Sequence, residues 1–216
     1  MATNKKTLKE KSKDKVSYHH GDLYSSLLKI ATKMLNEQGI DSLSLRKIAE
    51  NVGVSRTAAY HHFKDKNDLL CAIAAQGFNQ WQKHAERIFT NNTLTKEQQY
   101  RDFVYGYIHF ATNNPNLYDL MFGRTIWKDQ GSNETLRLAA FPSFDFQVKM
   151  TKHWQDMSLL PDSESSLRLA QVIWGTLHGI AKLMIDGIYT DNSNVDEMCE
   201  CAVNLFLSTA QSNQHS

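Results

Sequence analysis

Breakers are scarce in this sequence, with three prolines and ten glycines in 216 residues. Sustained β-branched alternation is absent, which excludes a sheet-built core. Cysteine is also sparse. Cys71, Cys199 and Cys201 give no disulfide framework, so a reduced, cytoplasmic setting is expected. No apolar run approaches the roughly 20 residues of a membrane span, so no membrane partner is expected. The first 15 residues carry six lysines without an apolar stretch behind them, unlike a secretory signal. Catalytic signatures are missing too. There is no GxSxG, no phosphate-binding glycine loop, no HExxH and no CxxC. No enzyme activity and no cofactor are expected.

What is present is a charge asymmetry and a helical period. The net charge is +1. Residues 1–66 hold 13 Lys/Arg against 7 Asp/Glu, and residues 67–216 hold 11 against 16. A basic first third on an acidic remainder points to an anionic partner for that third. Part of the excess belongs to residues 1–17, a lysine-rich segment poor in apolar residues that reads as a flexible basic arm.

Beyond the arm, apolar residues recur at helical spacing. Leu23, Leu27, Ile30, Ala31, Met34 and Leu35 make one stripe, closed by Gly39. Ser44 opens a short second helix that Gly53 stops, and Ser55 opens a third over Arg56 to Phe63. Asp65 or Asn67 begins a long fourth helix that reaches Phe89. Further helical segments are expected near 94–113, 115–122, 132–158, 163–189 and 195–211, with turn formers between them. The expected fold is all-α with about nine helices. Residues 18–66 form a small three-helix unit, and residues 67–216 form a larger bundle.

The segment AAYHHF, residues 58–63, sits between Arg56 and the pair Lys64 and Lys66. Such a cluster serves a metal, catalysis or a polyanion. Adjacent histidines on a helix diverge by about 100°, so His61 and His62 cannot share an ion. No two of the nine histidines lie three or four apart, so no metal site is expected. Two short helices joined at a glycine and backed by a third meet the demands of a DNA-reading helix-turn-helix. Arg56 is the candidate for guanine, and Thr57 for a thymine methyl or a phosphate. Tyr60, His61 and His62 are the ring candidates. Ser44 and Lys66, at helix starts, are candidates for phosphate. A packed helical corner with His62 inside is the competing reading.

Residues 22–70, above all LSLRKIAENVGVSRTAAYHHFKDKNDLL, resemble the DNA-binding domain of the TetR/AcrR family of bacterial transcriptional regulators. Its Y-x-H-F-x-x-K-x-x-L pattern is matched by Tyr60, His62, Phe63, Lys66 and Leu69. Trp174, His178 and Gly179 resemble the Trp-His-Gly pattern of one C-terminal type in that family. The resemblance implies a homodimer on a palindromic DNA operator, a small-molecule effector and repression released by that effector, with residues 18–66 as the helix-turn-helix DNA-binding domain and residues 67–216 as the ligand-binding and dimerisation domain. Ala58-Ala59 stand where many relatives carry a hydroxyl residue or a glycine–threonine pair, so the hydroxyl contact to phosphate expected there is absent.

Residues 100–190 are rich in aromatic and sulfur side chains, which fit either a plain core or a mainly apolar pocket. The pocket candidates are Tyr107, Met121, Trp127, Trp174 and His178, with Arg124 and Lys128 available to an acidic ligand. A homodimer is expected through the last two helices. The proposed stripes are Leu169, Ile173, Leu177 and Ile180 on one, and Met198, Ala202, Leu205 and Phe206 on the other. The alternative is that these stripes close the monomer's own core.

Overall fold

The computed structural model describes residues 20–128, 131–189 and 194–212, with side chains from Leu23 to Leu207 among them. The arm at 1–17 lies outside these residues. Ten α-helices run in order: α1 (His20–Gln38), α2 (Leu45–Val52), α3 (Arg56–Tyr60), α4 (Lys66–Phe89), α5 (Lys96–Asn113), α6 (Pro115–Phe122), α7 (Arg124–Trp127), α8 (Glu134–Asp156), α9 (Ser166–Ile185) and α10 (Val195–Ser212). No strand occurs among the described residues. Nine of these helices answer to expected segments. The four-residue α7 was not expected, because one turn is too short to show a period.

Helix boundaries follow local chemistry. Ser44, Ser55 and Asp65 each accept a bond from the backbone N–H three residues on, which fixes the starts of α2, α3 and α4. Gly53 ends α2 with φ of 81°, a left-handed conformation in which a β-carbon is strained. α5 begins with a reciprocal capping box between Thr95 and Gln98. α3 is shorter than the Arg56–Phe63 expectation. His61 and His62 form a turn after Tyr60, and Phe63 drops into the core.

Packing centres on α4, which lies against α8 and α5, while α5 in turn carries α9 and α10. Two apolar clusters divide α4 between them. The first joins Leu27, Ile48 and Phe63 to Phe78, Leu120 and Ala139. The second gathers Trp81, Tyr107, Trp154, Leu177 and Phe206. The change falls between Phe78 and Trp81 on α4, beyond residue 66. At Gly77 an added β-carbon would stand 2.5 Å from Met121 Sδ, so α6 approaches α4 closely there.

The dimer stripes need correction. Leu169, Ile173 and Leu177 on α9, and Ala202 and Phe206 on α10, are buried within the monomer. Ile180 and Met198 are half-buried in the same core, and only Leu205 faces outward. Periodicity marks an apolar face without saying which neighbour covers it; here the cover is the chain itself. None of the described helices is long and apolar enough to cross a membrane.

Candidate nucleic-acid interface and effector pocket

The first site is built on α2, the Gly53 turn and α3. Ala59 and Phe63 are buried and hold α3 down, with Tyr24 of α1 stacked on Phe63 at 5.1 Å between ring centroids. Arg56, Thr57, Tyr60 and His61 are all exposed on the opposite side. The Arg56 guanidinium lies over the Tyr60 ring, 5.6 Å from its centroid, which restricts its rotamers and aims it. Among the described residues, none of these four side chains makes a hydrogen bond. They are donors standing free at the surface.

The remaining candidates are placed less simply. Ser44 Oγ accepts from Lys47 N and caps α2, so only its hydroxyl proton is left for a phosphate. His62 is half-buried in an edge-type contact with Tyr24, at 6.1 Å between centroids. Lys66 is exposed, but its Nζ donates to the Ile40 carbonyl at 3.1 Å. The start of α4 is capped by the Asp65 carboxylate, with Asp68 in the first turn. These negative charges already answer part of the helix dipole beside Lys66.

The second site is a cavity of about 480 Å³ between α4, α6, α7, α8 and α9. Its wall includes three of the pocket candidates, Trp127, Trp174 and His178, together with Phe78, Phe122, Phe141 and Phe144. Phe144 stacks on Trp174 at 4.9 Å. Phe141, Gln171 and Gly175 stand at the exposed mouth. Pro142 lies inside α8 at this wall, where it removes the backbone bond to the Leu138 carbonyl.

Tyr107 and Met121 do not line the cavity; both are fully buried behind it. Each supports a wall residue. The Met121 carbonyl accepts from Trp127 Nε1 at 2.7 Å. The Tyr107 hydroxyl accepts from Trp174 Nε1 at 2.5 Å. Arg124 and Lys128 are absent from the lining as well, so neither counters a charge inside it.

Tyr107 also opens a chain of bonds that the sequence did not reveal. Its hydroxyl meets that of Tyr118 at 2.8 Å, and Tyr118 meets His178 Nδ1 at 2.7 Å. Direction follows from chemistry. The indole N–H can only donate, so Tyr107 accepts from it. The Tyr107 proton then goes to Tyr118, and the Tyr118 proton to His178 Nδ1. The opposite polarity would strand the Tyr107 proton in the core at a cost of about 1–3 kcal/mol. His178 is therefore neutral, with its proton on Nε2. Burial, followed by the charge of Lys182, depresses its pKa and favours the same state, against a smaller opposing pull from Asp119. Burial likewise pushes the Tyr107 and Tyr118 hydroxyls well above the usual phenol range.

The two sites are tied together at the start of α4. Asn67 Nδ2 donates to the Gly131 carbonyl at 2.7 Å, and Asn133 Nδ2 to Asp68 Oδ1 at 2.7 Å. The other Asp68 oxygen accepts from Lys64 N at 3.1 Å. The connection between α7 and α8, which follows Trp127, thus grips the first turn of α4 beside the reading head.

Residues 27–73 match the family described as "Bacterial regulatory proteins, tetR family", and residues 100–206 match "Tetracyclin repressor-like, C-terminal domain". Tetracycline repressor protein class A from transposon 1721 of Escherichia coli is 44% identical over 50 residues, which is 23% of either chain. The HTH-type transcriptional regulator AcrR of Shigella flexneri is 24% identical over 159 residues, covering 71% of this chain and 74% of that one. A solved structure from Rhodococcus sp. RHA1, of a protein of unknown function, superimposes with a TM-score of 0.75 at 28% identity. It covers 89% of this chain and 100% of its own.

Proposed function

Because the chain belongs to the TetR/AcrR family of transcriptional regulators, we propose that it is a ligand-responsive repressor that binds a palindromic operator as a homodimer and is released by a small, mainly apolar or aromatic effector. One observation carries the DNA half of this reading. Arg56, Thr57, Tyr60 and His61 stand exposed on α3, with Ala59 and Phe63 anchoring it from behind. Donors that make no hydrogen bond at an exposed surface are available to base edges and phosphates. The aromatic cavity supports the effector half, and its volume lies in the range of small-molecule sites. Repression is the role carried by the name of the E. coli relative. The setting would be the cytoplasm, where the DNA is.

A dimer through α9 and α10 would use their outward faces. Leu167 and Val172 on α9 and Leu205 on α10 are each more than half exposed. On α9, Gly179 has open space where a β-carbon would stand, which admits a second helix at close range. An isologous pairing there would set the two reading helices about one DNA turn apart, roughly 34–36 Å. Sedimentation at micromolar concentration would test the pairing, and a monomer would exclude it.

Coupling would run through α4. A ligand that shifts Trp127 moves the connection gripping Asn67 and Asp68, and so the spacing of the reading heads. Linkage requires effector and operator to weaken each other by one factor, typically about 5- to 150-fold. The deciding experiment is selection of bound sequences from a random DNA library at near-physiological salt. One palindrome with half-sites a turn apart supports the reading. Salt-sensitive background binding without enrichment would end it.

A further inference from the structure

We infer that the effector is an uncharged molecule with a flat apolar body whose polar atoms are hydrogen-bond acceptors, received by His178 and Gln171. This rests on reading the aromatic cavity as the effector site, and it narrows the class of ligand.

Three polar side chains reach the cavity: Gln171, Trp174 and His178. The indole N–H of Trp174 is spent on Tyr107. His178 Nδ1 is spent on the Tyr118 hydroxyl, which leaves Nε2 with the proton and no bond among the described residues. Gln171 Oε1 accepts from Arg168 Nη1 at 2.9 Å. Arginine has no acceptor, so the amide oxygen must face it and the amide nitrogen is left over. Both side chains therefore offer an unspent N–H donor, and the Gln171 oxygen keeps one lone pair at the mouth. Beyond the mouth no side-chain acceptor lines the cavity, so a ligand hydroxyl or amine set against His178 would leave its own proton unpaired, at about 1–3 kcal/mol.

The charge argument points the same way. No Asp, Glu, Lys or Arg lines the cavity. Arg168 stands outside the mouth on Gln171, and Lys182 lines an adjoining cavity that shares Phe122 and His178. Lys182 Nζ bonds to Asp119 at 2.8 Å and to Asp186 at 2.6 Å. Two carboxylates on this ammonium already answer its charge, so it offers no free cation to an anionic ligand at His178. Ketones, esters, lactones and quinones fit these requirements; carboxylic acids and amines do not.

The test uses four naphthalene probes of matched shape with the full chain, measured by calorimetry. They are 2-acetylnaphthalene, 2-ethylnaphthalene, 2-naphthoate and 2-(aminomethyl)naphthalene. The ketone is expected to bind roughly three- to ten-fold more tightly than the hydrocarbon, the worth of one neutral hydrogen bond. The acid and the amine should bind more weakly than either. H178L should erase the ketone's advantage over the hydrocarbon. H178N keeps an amide donor at that position and should retain the preference, and Q171L at the mouth should reduce it if H178L does not fold. Tighter binding of the acid or the amine overturns the inference, as does equal binding of ketone and hydrocarbon. In those cases the bound hydrocarbon still supports the cavity as a ligand site. Binding by none of the four overturns both readings.

Discussion

The reading head and the pocket treat polar groups in opposite ways. On α3, Arg56, Thr57, Tyr60 and His61 are exposed and make no hydrogen bonds among the described residues. Behind the pocket, Trp174, Tyr107, Tyr118 and His178 hand one bond to the next, and the two tyrosines are buried. The first arrangement keeps its donors for a partner that comes and goes. The second commits them to the fold and leaves one N–H at the end. Function and stability should therefore separate: substitutions on α3 act on binding, and substitutions in the chain of tyrosines act first on folding.

The sharpest test of that separation is Tyr118→Phe. The Tyr107 proton loses its acceptor inside the core, which costs about 1–3 kcal/mol. Chemical denaturation should show this loss, while operator affinity in the absence of ligand stays unchanged. Arg56→Ala should do the reverse. It should cost about 1–3 kcal/mol of operator binding and relax the preference at one base position, with an unaltered denaturation midpoint. Similar midpoints for the two variants would break the comparison. Lys66→Ala should weaken binding to all sequences alike and lower the salt slope by about one, as read from affinity over a salt series. If it alters sequence preference instead, Lys66 reads bases and its assignment is wrong.

The smallest expected effect is on pH. His178 faces Lys182 on its own helix, Asp119 and Tyr118 on α6, and through Tyr118 the Tyr107 hydroxyl on α5. Its folded pKa lies below the ordinary histidine value of about 6.5. On acidification the unfolded chain binds the proton first. The neutral chain of bonds therefore contributes fully above about pH 6.5, and its contribution is lost as pH falls through the folded pKa. Denaturation at pH 7.5 and 5.5 should show a steeper loss for the native protein than for His178→Asn. Equal losses would place the proton elsewhere.

How much of this was legible in sequence depends on the range of the contacts. The helix-turn-helix is written within about 20 residues. Ser44, Gly53 and Ser55 set its boundaries, Ala59 and Phe63 its buried side, and the family pattern adds Tyr60, His62 and Lys66. Each signal acts on its near neighbours, so the sequence order preserves it. Trp174 and His178 were legible on the same terms, four apart on one helix. The rest of the pocket comes from five helices, and no local rule states that Phe78 meets Trp127 or that Tyr118 reaches His178 across 60 positions. Tyr107 and Met121 were right in neighbourhood and wrong in orientation, because a helical period does not say which side of a wall a residue takes. The dimer stripes failed for a related reason: an apolar face looks the same whether its own chain or another covers it.

The shared core around α4 bears on how such regulators can be recombined. Leu27, Ile48 and Phe63 pack in one cluster with Phe78, Leu120 and Ala139. A transplant that cut the chain after Lys66 would leave the head's apolar underside facing a foreign α4, α6 and α8. Specificity could be moved between regulators only by grafting the outward residues of α3 onto this chain, or by carrying α4 to Phe78 along with the matching surfaces of α6 and α8.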